Sequence, residues 1–506
     1  MYDGPAMQKL TQEIVPILVL IAVIVVVVAR LPKVDVGHTS AFRRRRTLNW
    51  VPLGLTYAFL YMARYNIIVL KNVQGITQHD FGNIDAWGSV VYGVSFLLNG
   101  PLADRIGGRR TILISAGGAL AANALLGVLW ITGAIDGDST TVLSLLFTLN
   151  MYFQSFGAVS IVKVNASWFH LRERGTFGGI FGILISLGLY FALDWGSGIA
   201  SIACPACVAH AKGFAAVLPS PAEVQRLAWL FLIPAAILVV FWALSFALVR
   251  DTPSHAGFAD FDVGDASSGQ SEVREPAVRV IARLLRNPVI LTIAIIELCS
   301  GFLRQGIIKW SNDFANSIGV HTYVNLHWGM VLCIAGITGG MVAGVVSDHL
   351  FHSRRPPMST VLYLIMLVGA IAMIPLLGVP LDREVVGLSV SWIAAIMAMA
   401  VIGVHGMLSG VASQDFAGRL NTGVAVGLID GFVYLGGALQ DQVYGGYGSL
   451  LPEKGSAAAK LVSSWQVWPI AMVPVAVIGL ALSLRIWNAR VGVRPKLPTA
   501  VAVTDR

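Results

Sequence analysis

Charge is scarce in this chain. Of 506 residues only 12% are Asp, Glu, Lys or Arg, and cysteine occurs four times. A disordered polymer needs high charge and few apolar residues, and the 56% hydrophobic content excludes one. Four cysteines in a chain this long exclude a disulfide-stapled scaffold. No Gly-x-x-x-x-Gly-Lys-Ser/Thr loop occurs, so no nucleotide-binding loop of that type powers the chain. The loops hold no grouping of nucleophile, base and oxyanion donors, so no enzyme, metal centre or cofactor is expected. The pair in Cys204-Pro-Ala-Cys207 has no second pair beside it and reads as a disulfide or two free thiols on the outer side.

Long apolar runs fill the chain instead. A helix needs about 20 apolar residues to cross a bilayer, and thirteen candidate spans fall at about 13–30, 49–70, 84–102, 111–133, 141–163, 176–196, 227–249, 288–310, 328–347, 358–379, 389–411, 423–443 and 466–487. The fold class is therefore all-α integral membrane, and the lipid bilayer is the first partner. The net charge of +8 does not indicate nucleic acid, because the basic residues are short clusters between spans. Arg43 to Arg46, Arg105/Arg109/Arg110, Arg172/Arg174, Arg354/Arg355 and Arg485/Arg490/Arg494/Lys496 fall on one side if the spans alternate. The positive-inside rule makes that side the cytoplasm.

The first span carries its positive charge after the apolar run (Arg30, Lys33, Arg43 to Arg46) and has no clear cleavage site. A secretory signal has the reverse order. Residues 1–48 thus read as a retained extra N-terminal transmembrane helix with a basic cytoplasmic linker. The rest reads as an N-terminal six-helix half at 49–250, a polar cytoplasmic linker at 251–287, a C-terminal six-helix half at 288–490 and a cytoplasmic tail at 491–506. Three landmarks support the internal repeat. Arg304 follows Arg64 by 240 positions, Asp348 follows Asp104 by 244, and Thr422 follows Arg174 by 248. The drift is of loop size, as in transporters built from two related halves.

The two arginines are the central functional signal. Arg64 lies in Leu60-Tyr-Met-Ala-Arg-Tyr-Asn66 and Arg304 in Gly301-Phe-Leu-Arg-Gln-Gly306, both inside apolar spans. An Arg at mid-membrane depth costs roughly 2.5–3.5 kcal/mol on insertion scales. It stays charged and offers a planar donor fork, so two facing one cavity suit a phosphate or carboxylate. Tyr57, Tyr61 and Arg64 stand at i, i+4, i+7 and share one helix face.

The segment Gly100-Pro-Leu-Ala-Asp-Arg-Ile-Gly-Gly-Arg-Arg110 resembles the loop motif of the major facilitator superfamily. A narrower resemblance, covering nearly all of the twelve-span core, is to its organophosphate:phosphate antiporter family. It is carried by the Tyr57/Tyr61/Arg64 face, Val91-Tyr-Gly-Val-Ser95, Leu149-Asn-Met-Tyr-Phe-Gln154, Trp168 with Glu173-Arg-Gly175, Leu303-Arg-Gln-Gly-Ile-Ile-Lys-Trp-Ser311, Thr422-Gly-Val-Ala-Val-Gly427 and Tyr434-Leu-Gly-Gly437. Its most specific short match is Arg250-Asp-Thr-Pro-Ser-His-Ala-Gly257.

The resemblance implies two pseudo-symmetric six-helix halves that rock about a midplane site. It implies a monomeric transport unit in the inner (plasma) membrane, exchanging a phosphorylated anion for inorganic phosphate. Arg64 and Arg304 would grip the phosphoryl group, and Tyr57, Tyr61, Tyr92, Gln154 and Tyr434 would line the path. Gly100, Asp104, Arg105, Arg109 and Asp348 would form a cytoplasmic latch, with Asp104 accepting from a neighbouring helix N-terminus.

The glycerol-3-phosphate carriers of that family have lysines where this chain has Tyr65 and Phe96, a histidine at Ile185 and an aspartate at Lys309. Lys309 lies five residues beyond Arg304, about 140° round the helix and ~7.5 Å along it, as a third cation or an interfacial residue. Lys163 reaches the cytoplasmic mouth or snorkels. Asp194, Glu297 and Asp430 could pair an arginine or carry a proton, and His405 could take over the missing histidine's part. Two other readings stay open. One is a proton-coupled carboxylate symporter; the other is a transporter-like sensor docked to a membrane partner through the added helix.

Overall fold

Twelve long helices organise the described part of the chain, which in this computed structural model comprises residues 22, 38–74, 76–170, 174–211, 219–263, 276–351 and 355–488. In hydrocarbon every backbone N–H and C=O must be satisfied within the segment, so apolar runs of this length close into helices. The helices are α1 Ser40–Gln74, α2 Gln78–Ile106, α3 Gly108–Ile131, α4 Thr140–Trp168, α5 Arg174–Tyr190 and α6 Trp229–Leu248, then α7 Pro288–Ser317, α8 Trp328–His349, α9 Arg355–Gly378, α10 Arg383–His405, α11 Ser413–Tyr444 and α12 Val467–Arg485. Side chains start several of them. Thr77 accepts from Asp80 N ahead of α2, Asn287 from Val289 N with Pro288 behind it ahead of α7, and Asp382 from Glu384 N ahead of α10. Apart from residue 22, the extra N-terminal span at 13–30 and the tail beyond 488 lie outside the described residues.

Nine helical segments among the described residues are long and apolar enough to cross a membrane. Two of the long helices outside that set, α2 and α11, carry Asp80, Asp85, Asp104, Arg105, Asp430 and Asp441. They pack on each other more extensively than any other pair. Asp85, Asp430 and Asp441 are buried against protein, so hydropathy alone underrates these helices.

Helix ends differ from the hydropathy boundaries. The α1 helix begins at Ser40 rather than near 49, and α11 at Ser413 rather than near 423. Hydropathy marks where lipid ends, and a helix can continue past that point into polar sequence. Residues Arg43 to Arg46 are therefore the first turns of α1. The linker holds a short helix, Ala277–Arg286, whose Val280 and Leu284 pack on Val424, Ala425 and Leu428 of α11. A π-helical turn, Phe191–Trp195, carries α5 on into Gly196–Ala203, and another, Gly406–Ala412, joins α10 to α11. Such turns appear inside helices mostly at functional sites.

Two seams join the halves: α2 on α11, and α5 on α8. Backbones approach closely at glycines. A Cβ on Gly93 would lie 2.8 Å from the Gly431 carbonyl oxygen, and one on Gly427 would lie 2.4 Å from that of Phe96. At the end opposite the basic clusters, Asp194 accepts from the backbone N–H groups of Gly329 (2.8 Å) and Met330 (3.0 Å), which closes the α5–α8 seam at the start of α8.

Candidate functional site

Reading α1, α2, α7 and α11 from the basic end to the opposite end gives three layers of polar side chains. The middle layer holds the two arginines, both buried. Arg64 donates through Nε to Gln154 Oε1 (2.9 Å), through Nη1 to the Tyr434 hydroxyl (2.5 Å) and through Nη2 to the Tyr92 hydroxyl (3.1 Å). Its guanidinium carbon lies 4.6 Å from the Tyr61 ring centre, and Tyr57 packs edge-on against Tyr61 at 5.4 Å. The face predicted from the i, i+4, i+7 spacing is thus real.

The Tyr434 ring centre is 5.7 Å from the guanidinium carbons of both Arg64 and Arg304. One aromatic ring therefore spans the gap between the halves' cations. Arg304 Nε has no hydrogen-bond partner among the described residues. Among those residues no carboxylate forms an ion pair with either arginine. Two buried cations held only by phenols, an amide and π faces are electrostatically incomplete, and an anion between them completes the set. Gln305 Nε2 donates to the Tyr65 hydroxyl at 3.2 Å, a further bond across the halves.

The outer layer is ion-paired. Lys309 of α7 pairs with Asp85 of α2 and also donates to both oxygens of Asp441 of α11 (2.8 and 3.0 Å). Lys71 of α1 pairs with Asp313 of α7, with its ammonium over the Trp310 and Phe81 rings. Lys309 read from the sequence as a third cation or an interfacial residue. It instead sits between two carboxylates, turned away from Arg304 as its 140° offset requires. Asp85, Asp313 and Asp441 were not foreseen. Asp85 lies seven residues before Tyr92 and Asp441 seven after Tyr434, so the heptad offset that grouped the tyrosines with Arg64 would have found both.

The inner layer is acidic. His405 Nδ1 lies 3.2 Å from Glu297 Oε2, and Asp430 accepts from Ser409. Neither acid pairs with an arginine among the described residues, and Asp194 serves as a helix cap. His405 stands with the acids and not on the arginine fork.

At the cytoplasmic end Lys163 Nζ lies 2.6 Å from Asp104 Oδ1. The N-terminus of α3 is capped by Asp251, whose Oδ1 accepts from Arg109 N at 2.7 Å. Arg109 Nη2 donates to the Phe246 carbonyl (2.6 Å), and Arg105 lines the same pocket as Arg109, Lys163 and Asp251. Asp251 belongs to the Arg250–Gly257 stretch, which gives that segment a physical role. Gly100 faces α11, 3.6 Å from where a Gly427 Cβ would sit. The Asp348 side chain and Glu173 lie outside what the structure describes. Cys204 and Cys207 are joined by a disulfide, and Cys299 and Cys333 are buried free thiols.

The chain is similar to several known proteins. The chain is 24% identical over 430 residues to the glycerol-3-phosphate transporter of Bacillus subtilis, covering 80% of this chain and 86% of that one. It is 24% identical over 428 residues to the membrane sensor protein UhpC of Salmonella typhimurium, covering 80% and 86%. It is 24% identical over 403 residues to the hexose-6-phosphate:phosphate antiporter of the same organism, covering 76% and 79%. Among solved structures, the proton:xylose symporter XylE superposes with a TM-score of 0.60 at 14% identity, covering 89% of this chain and 96% of that one, and shares the fold. The sequence profile of the Major Facilitator Superfamily matches residues 53–440, so the chain belongs to that superfamily and is a multi-pass membrane protein, its place in a bacterial cell being the inner membrane.

Proposed function

We propose that this chain is a secondary transporter that exchanges an organophosphate, of the glycerol-phosphate or sugar-phosphate type, for inorganic phosphate by alternating access. The observation that carries the reading is the pair of buried arginines, one from each half, with no carboxylate counter-ion among the described residues. The names of the phosphate-ester relatives support the same substrate class.

In this reading an anion takes the donors that Tyr434 now occupies on Arg64 and the open Nε of Arg304. It neutralises both halves at once and draws them together. Binding must favour the crossing between end states, since equal affinity for both shifts no equilibrium. A monomer suffices, because each half supplies one arginine. No step requires a cofactor or catalysis of bond breaking.

Exchange of labelled phosphate in proteoliposomes, with and without phosphate inside, tests this in the native chain, Arg64→Lys and Arg304→Lys. Lysine keeps the charge and loses the fork. Exchange that needs internal phosphate and is lost in both variants supports the reading. The UhpC relative favours one alternative, a sensor, which would bind phosphate esters without flux. Absence of both exchange and binding would sink both readings.

A further inference from the structure

The inner layer holds a fully buried carboxylate that the phosphate site does not use. Glu297 has no solvent exposure, and its Oε1 has no hydrogen-bond partner among the described residues. Its other oxygen faces His405 Nδ1 at 3.2 Å. Glu297 stands seven residues before Arg304 on the same face of α7, about 10 Å along the axis by ideal geometry. Helical side chains lean toward the N-terminus, so Arg304 leans toward Glu297. Glu297 and Asp430 lie within electrostatic reach of Arg304.

The two groups nevertheless do not meet. Arg304 Nε is open, Glu297 Oε1 is open, and no ion pair joins them. A plain counter-ion for Arg304 would close that gap, because an unmet buried charge costs several kcal/mol. A donor and an acceptor left open on one helix face describe two ends of one ligand site.

We infer that Glu297 and His405, with Asp430 and Ser409 behind them, form the subsite for the organic end of the transported ester. That end donates hydrogen bonds, as a hydroxyl or an ammonium does, and a second anionic end is rejected. The inference rests on the proposed phosphate site and adds its selectivity. The chemistry follows from the lining. A carboxylate offers only acceptors, so hydroxyl or ammonium hydrogens satisfy Oε1, whereas a carboxylate placed there meets like charge in a low-dielectric site. Inorganic phosphate does not extend to this layer.

Competition against phosphate in proteoliposomes tests it with three probes of similar length: glycerol-3-phosphate, phosphoethanolamine and 3-phosphoglycerate. A charge-assisted hydrogen bond contributes about 1.5–3 kcal/mol, which is roughly tenfold to a hundredfold. The native chain should therefore prefer one or both of the first two over phosphoglycerate by at least about tenfold. Which of the two leads tells hydroxyl from ammonium. In Glu297→Gln the ratio should collapse toward one. Equal handling of all three probes by the native chain, or an unchanged ratio in Glu297→Gln, overturns the inference. If that variant does not fold, the native order decides. Ligand-dependent thermal stabilisation in detergent reads the same order in a protein that binds without carrying, so loss of exchange alone condemns the transport reading and leaves this one decided.

Discussion

The guanidinium of Arg64 donates to the hydroxyl of Tyr434 at 2.5 Å, and that bond joins the two halves at mid-depth. In the proposed phosphate site the phenol occupies a donor that a phosphoryl oxygen would take, so ligand and Tyr434 would compete for Nη1. In Tyr434→Phe the free protein keeps a buried N–H without its partner, at a cost of about 1–3 kcal/mol. The ligand-free form should unfold at lower temperature, while the apparent affinity for inorganic phosphate should rise about fivefold to tenfold. Weaker phosphate binding in calorimetry would show instead that the phenol contacts the anion itself.

The pairing of Lys71 with Asp313 sets a second expectation. Both side chains are buried and come from opposite halves. Removing one partner of a buried pair costs about 3–5 kcal/mol while the site stays closed. Opening of the outer end would hydrate the stranded charge and relieve that cost. Asp313→Asn should therefore raise the population open to the outside. A cysteine placed at Ser311, which is buried here, should then react faster with an impermeant maleimide from the outside. Unchanged labelling would mean that this pair does not hold the outer end shut.

Much of this layout was legible in the sequence, for reasons that also explain what was not. The intramembrane arginines stood out because charge in an apolar run is costly, and helical spacing then placed Tyr57 and Tyr61 beside Arg64. The partners of Lys309 and of the α3 N-terminus did not follow, because they lie far away in the chain. Asp441 meets Lys309 across 132 residues, and Asp251 reaches Arg109 across 142. A single sequence gives the face of a helix; it does not give which faces meet. The helix ends were misplaced for a different reason: the lipid boundary and the last helical residue are separate events.

The trio of Asp85, Lys309 and Asp441 predicts an unequal set of single substitutions. Lys309→Met leaves two carboxylates buried side by side with no cation between them, at a cost of about 3–5 kcal/mol or more. Asp85→Asn leaves the Lys309–Asp441 pair neutral and bonded, at about 1 kcal/mol. Melting in detergent should rank the native chain and Asp85→Asn close together, with Lys309→Met well below. Asp85→Asn should still loosen the outer end, because Asp85 alone of the three belongs to the first half. If Lys309→Met melts with the native chain, the ion pairing of the outer layer is without consequence.

At the cytoplasmic end, Gly107 and Asp251 make a coupled cap that can be tested apart from transport. Gly107 has a φ of 87°, which side chains rarely adopt. A Cβ there would lie 2.7 Å from Asp251 Oδ2. Asp251 Oδ1 meanwhile takes the Arg109 N–H at the start of α3, as an N-cap carboxylate does. Asp251→Ala should cost about 0.5–2 kcal/mol. Gly107→Ala carries backbone strain of about 1–2 kcal/mol and also pushes the carboxylate off its donor. The double variant should then cost less than the sum of the two singles, since the cap is lost only once. Additive losses in thermal unfolding would show that the glycine and the carboxylate act independently and that the cap is not what Gly107 protects.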